Sequence, residues 1–66
     1  MKITYSPLWH MLAEKNIKKS TFRNDINLNM HTYNRMRNGE YITLTTLIRI
    51  CEHYDCQVED VIQLSN

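Results

Sequence analysis

An all-α fold, one small domain of five short helices, is what the sequence predicts, and three observations predict it. The 66 residues hold one Gly, one Pro and no low-complexity tract, the composition of a packed helical chain and not of a linker. Apolar residues recur at three- and four-residue spacing, most clearly in Leu44, Leu47, Ile48, Cys51 and Tyr54, which marks one face of a helix. Start and stop residues (Ser6-Pro7, Ser20, Asn29, Asn38-Gly39 and Thr43) punctuate these runs. A chain of this length makes one core, so residues 1–66 are expected to form a single domain. It lies near the lower size limit for folding without a staple, which makes dimerisation a natural expectation.

The first helix is expected from Pro7 to Lys15. Ser6 would cap its free amides, and Pro7 at the first position gives up an N–H that has no partner there. Leu8, Trp9 and Leu12 form its buried stripe, with Tyr5 packing over the start as a staple. Asn16 and Ile17 end it. Ser20 opens a second helix from Thr21 to Ile26, whose apolar side is Phe22 and Ile26. Asn27 is expected to turn the chain in a left-handed conformation, which Asn tolerates better than most residues. Leu28 tucks under the turn, and Asn29 caps a third helix from Met30 to Arg37 that Asn38-Gly39 stops.

On the third helix only Tyr33 and Met36 can face the core together, leaving His31, Thr32, Asn34, Arg35 and Asn38 toward solvent. Thr43 caps a fourth helix with the continuous stripe Leu44, Leu47, Ile48, Cys51 and Tyr54, expected to be buried, and Asp55 closes it. A fifth helix from Val58 to Gln63 would place Val58, Val61 and Ile62 near the core or near a partner.

The N-terminus MKITYSPLWH lacks the apolar run of a signal peptide or membrane span, so a cytoplasmic location and no membrane partner are expected. Cys51 and Cys56 are too few for a disulfide framework and fit better as small apolar groups; with His53 they lack the paired spacing of a zinc site. No metal, cofactor or small-molecule ligand is expected. No catalytic residue is expected either, for there is no nucleophile–base pair and no glycine loop to cradle phosphate.

The formal net charge of +1 hides an asymmetry. Between Lys15 and Glu40, Lys15, Lys18, Lys19, Arg23, Arg35 and Arg37 face only Asp25 and Glu40, whereas after Tyr41 only Arg49 opposes Glu52, Asp55, Glu59 and Asp60. A local basic surface attracts a polyanion over about 8 Å at physiological salt, whatever the total charge. The stretch from Ser20 to Gly39 sits within it. Two short helices joined by a tight turn make a helix-turn-helix, whose second helix fits the major groove of DNA. Base-edge chemistry suits the residues there: Arg35 for guanine, Asn34 for adenine, His31 for either kind of hydrogen bond, and Met30 against a thymine methyl.

From Ile17 to Ile62 the pattern resembles the Cro and phage-repressor, or XRE-type, helix-turn-helix family with its lambda-repressor-like domain. YSPLW near the start, NGE between the third and fourth helices and LIRICEHYDCQVEDVI near the end are similar to a subgroup of very small bacterial and phage-related regulators. The last of these is the most specific. The resemblance implies a five-helix domain that binds operator DNA, usually as a dimer, with the third helix reading bases through Met30, His31 and Arg35, and Asn34 beside them. It also implies phosphate contacts at Lys19, Asn29 and Asn38, to which Lys18, Thr32 and Arg37 are added as neighbouring donors. The family usually carries a small residue at the place of Arg23, glycine at Asn27, an aliphatic residue at Tyr33, and often glutamine at Lys19 and Met30.

The function expected is that of a sequence-specific double-stranded-DNA-binding transcriptional regulator, a homodimer on an inverted repeat, joined through Val58, Val61 and Leu64. A protein-interaction module of the same fold, antitoxin-like or anti-regulator, is the alternative. These residues hold no ligand-binding domain, so control is expected through concentration, a partner protein or competition for DNA.

Overall fold

Strand β1 (Lys2–Thr4) opens the computed structural model, which describes residues 2–65. Four α-helices follow: α1 (Ser6–Glu14), α2 (Lys19–Asp25), α3 (Met30–Arg37) and α4 (Leu44–Tyr54). After α4 come a single 3-10 turn, Val58–Asp60, and strand β2 (Gln63–Ser65). β2 runs antiparallel to β1 with Lys2 opposite Ser65, Ile3 opposite Leu64 and Thr4 opposite Gln63.

Two sequence expectations are corrected here. The fold is mostly helical, not all-α, and among the described residues there are four α-helices where five were expected. Val58 to Gln63 forms one 3-10 turn and not a fifth helix, although the turn starts with a capping contact: the Asp60 carboxylate accepts from the Gln57 amide at 3.0 Å, and the Asp60 amide returns to the Gln57 carbonyl at 3.0 Å. The β-branched Val61 and Ile62 are indifferent helix formers; their amides still reach back to the Val58 carbonyl, and the chain becomes a strand only at Gln63, where it meets β1.

The core is one cluster: Tyr5, Leu8 and Leu12 around α1, Phe22, Ile26 and Leu28 from α2 and its turn, Met36 from α3, Leu47 and Ile50 from α4, and Val61. Trp9 lies half-buried at its edge, packed edge-to-face on Phe22 with ring centroids 6.0 Å apart. Ser6 is not the cap of α1. It is the first helical residue, its amide donates to the Thr4 hydroxyl, and Tyr5 stands at the N-cap. Tyr5 exceeds the role of a staple, for it is buried and its hydroxyl donates to the Glu40 carbonyl at 2.7 Å, tying the chain start to the α3–α4 loop.

The inward face of α4 is also rotated from the expected one. Leu47 and Ile50 are buried, with Cys51 and Tyr54 packed beside them, whereas Leu44 and Ile48 stand 68% and 46% exposed.

Candidate nucleic-acid interface

The residues from α2 to α3 are locked by local chemistry at each joint. Phe22 and Ile26 anchor α2 in the core. Asn27 takes φ +53, the left-handed turn expected of it, and the Leu28 amide reaches back to the Arg23 carbonyl at 2.8 Å. Arg49 of α4 donates to the Ile26 carbonyl, so the end of α2 is capped from a third element. Asn29 caps α3, its side-chain oxygen accepting from the Thr32 amide at 2.7 Å. At the far end Gly39 has φ +73, and a Cβ there would lie 3.3 Å from the Ile3 carbonyl oxygen, so both backbone conformation and space call for glycine.

With Met36 buried and Tyr33 half-buried, the opposite face of α3 is open. His31, Asn34, Arg37 and Asn38 are exposed, and Met30 is 53% exposed at its start. On the α2 flank Tyr33 is shared by two guanidinium groups, Arg23 at 5.7 Å and Arg37 at 5.9 Å from the ring centroid. Arg23 also donates to the Met30 sulfur at 3.3 Å. Its stem lies along the α2–α3 seam, which solves the crowding that a large residue poses there by snorkelling.

On the α4 flank Arg35 turns back toward the loop. Its Nε donates to the Tyr41 carbonyl at 3.0 Å, and its guanidinium lies 3.8 Å from the Glu40 carboxylate. A cleft of about 400 Å³ opens between α3 and the start of α4, bordered by His31, Thr32, Arg35, Tyr41, Thr43 and Thr46. Thr43 caps α4 by accepting from the Thr46 amide at 3.3 Å. Hydroxyls, an imidazole and a guanidinium share the wall of the cleft with Ile42, and these polar groups are of the kind that donate to an oxyanion.

Lys18 is the N-cap position of α2 and exposed; Lys19 is its first residue, with Nζ 4.7 Å above the Trp9 ring. Trp9 is thus both a core edge and a platform for a cation. Of the three residues expected to join a second copy, Val58 and Leu64 are 46% and 55% exposed, but Val61 is fully buried in the chain's own core and leaves no surface for a partner. Sequence reasoning did not assign Arg23, Thr43 or Thr46 to the site. For Thr43 the cap signal was readable, but its neighbourhood to α3 was not.

Among the described residues no group of His, Cys, Asp or Glu is gathered to hold a metal ion, and no helix is long and apolar enough to cross a membrane.

Comparison with known proteins agrees with this geometry. The solved structure of the transcriptional regulator VanUg superimposes with a TM-score of 0.93 and 29% sequence identity, covering 98% of this chain and 88% of that one. No curated protein matches. A family model described as the Cro/C1-type HTH DNA-binding domain matches residues 7–66, nearly the whole chain, and the protein belongs to that helix-turn-helix family.

Proposed function

We propose that this protein is a sequence-specific transcriptional regulator of the cytoplasm that reads duplex DNA by laying α3 in the major groove. The observation that carries the reading is the open polar face of α3 on a helix whose other face is locked into the core. A groove about 12 Å wide admits one helix with its side chains against base edges. Asn34 and His31 then meet bases directly, Arg35 pairs with guanine O6 and N7, and Met30 lies against a thymine methyl. Lys18, Lys19, Asn29, Thr32, Arg37 and Asn38 hold the flanking phosphates, which fix register without reading sequence.

Two copies act on an inverted repeat, their α3 helices about 34 Å apart. Val58 and Leu64, exposed at the C-terminal end, supply the contact. The name of VanUg as a transcriptional regulator supports this reading of the fold's use. Exposed Leu44 and Ile48 favour a second reading, an antitoxin-like or anti-regulator module that binds a protein.

Selection of bound sequences from a random duplex pool, with a salt titration of the winners, separates the two. Regulation of DNA predicts a palindrome and a log affinity that falls linearly with log salt, each phosphate contact adding about 0.9 to the slope. An unenriched pool with salt-independent binding would favour the protein module.

A further inference from the structure

Cys51 and Cys56 are the two cysteines of the chain, and the end of α4 sets them side by side. Asp55 takes φ +51, and both its amide and that of Cys56 return to the Cys51 carbonyl, the latter at 3.0 Å. In a helix ending of this kind the residue after the left-handed turn packs back on the last turn of the helix. Here cysteine stands at both positions. A hydrogen bond of that length, with the bonds on either side laid end to end, spans at most about 7 Å between the two Cα atoms. The angles at carbonyl and amide shorten it further, into the range that a disulfide bridges. The side chains meet as well. Burial raises the Cys56 thiol to about 11, followed by the charge of Cys51, the charge of Asp60 and a side-chain hydrogen bond with Cys51. Both residues are half-buried against the core and not sealed within it.

We infer that Cys51 and Cys56 are a modification site, closed by a low-molecular-weight disulfide such as glutathione disulfide into a reversible bridge that staples the end of α4. Cys56 is held protonated, so Cys51 attacks first. Its sulfur bonds to one sulfur of the small disulfide, whose S–S bond breaks and releases one thiol. Cys56 then gives up its proton and attacks the Cys51 sulfur, and the second small thiol leaves. The two cysteines lose two electrons and two protons, and the small disulfide takes them as two thiols. An excess of reduced thiol runs the exchange backward. A staple suits a chain of 66 residues, near the size at which one core is marginal. It holds the segment after α4, which carries Val61 into the core and β2 to β1.

Equilibration of the reduced full chain at pH 8 with glutathione and glutathione disulfide in graded ratios, quenched in acid and weighed by mass spectrometry, tests the site. The expected product is a single chain lighter by two hydrogens, with neither cysteine open to alkylation, and dithiothreitol restores the thiols. Its melting midpoint exceeds that of the reduced chain by at least about 5 °C. Cys56→Ser stops at one attached glutathione, and Cys51→Ser, left with the buried thiol, gains glutathione more slowly. Circular dichroism checks the fold of both variants, and the wild-type chain alone decides whether the bridge forms. Glutathione left on the wild-type chain, bridges between two chains, or two free thiols at the most oxidising ratio each overturn the site. A bridged chain that melts no higher than the reduced one overturns the staple. Equal rates for the two serine variants overturn the order of attack.

Discussion

At the scale of residues, Arg35 shows how the α3–α4 loop orients a side chain of α3, the helix proposed to read bases. Its Nε bond to the Tyr41 carbonyl and the nearby Glu40 carboxylate restrict a side chain that is otherwise long and mobile. The pair with Glu40 is exposed and contributes little stability; its value is orientation. Exposure of His31 and Asn34 was legible in the sequence, since helical spacing alone sends them away from Met36. The stack of Arg23 on Tyr33 was not, because it joins two helices and depends on how they cross. The buried groups set a pH limit. Burial, with Cys51, Asp60 and Asp55 adding, pushes the Cys56 thiol from an ordinary 9.0 up to about 11. Burial likewise raises Tyr5 and Tyr54, the latter with a buried hydroxyl that has no partner. The unfolded chain gives up these protons first. Stability is therefore fully present below about pH 9 and falls as pH climbs through about 11. Thermal melts across that window should show a declining midpoint, and a midpoint level to pH 11 would contradict the burial argument. At pH 8, Cys56 should react with an alkylating reagent about a hundredfold more slowly than an unperturbed thiol, from its smaller thiolate fraction.

At the scale of elements, what could be read was local. Asn27, Asn29 and Gly39 act on residues within a turn of themselves, and the ends of α3 followed from them. The β1–β2 pair joins opposite ends of the chain through three residues each, and strands so short carry no periodic signal of their own. The phase of α4 was ambiguous for a related reason: Leu44, Leu47, Ile48, Ile50 and Cys51 cover a wide arc, and the elements packed on it decide which part is buried. Arg49 belongs to this level as well. Its bond to the Ile26 carbonyl joins α4 to the end of α2, and nothing in the sequence spacing announces it. Arg49→Ala should cost about 1 kcal/mol of stability, the usual net worth of a partly exposed bond from a charged donor. Urea unfolding measures it, and an unchanged midpoint would show that the turn holds without α4.

At the scale of the whole molecule, one core holds four helices so that α3 turns a polar face outward, with arginines on both flanks. The acidic residues lie mostly after Tyr41, which keeps the total charge near neutral while the α2–α3 side remains basic. Affinity should then come from phosphates on either side of the groove, and sequence preference from α3. Leu44, Ile48, Val58 and Leu64 leave apolar side chains exposed, of which Val58 and Leu64 belong to the proposed dimer contact. The central claim is that α3 reads bases while the start of α2 holds phosphate, and comparing Arg35→Ala with Lys19→Ala on the selected duplex and on random DNA tests it most directly. Arg35→Ala should lose about 1–3 kcal/mol on the selected duplex, relax the preference at one base pair and change random binding far less, whereas Lys19→Ala should weaken both alike. Equal losses on selected and random DNA for Arg35→Ala would contradict the claim.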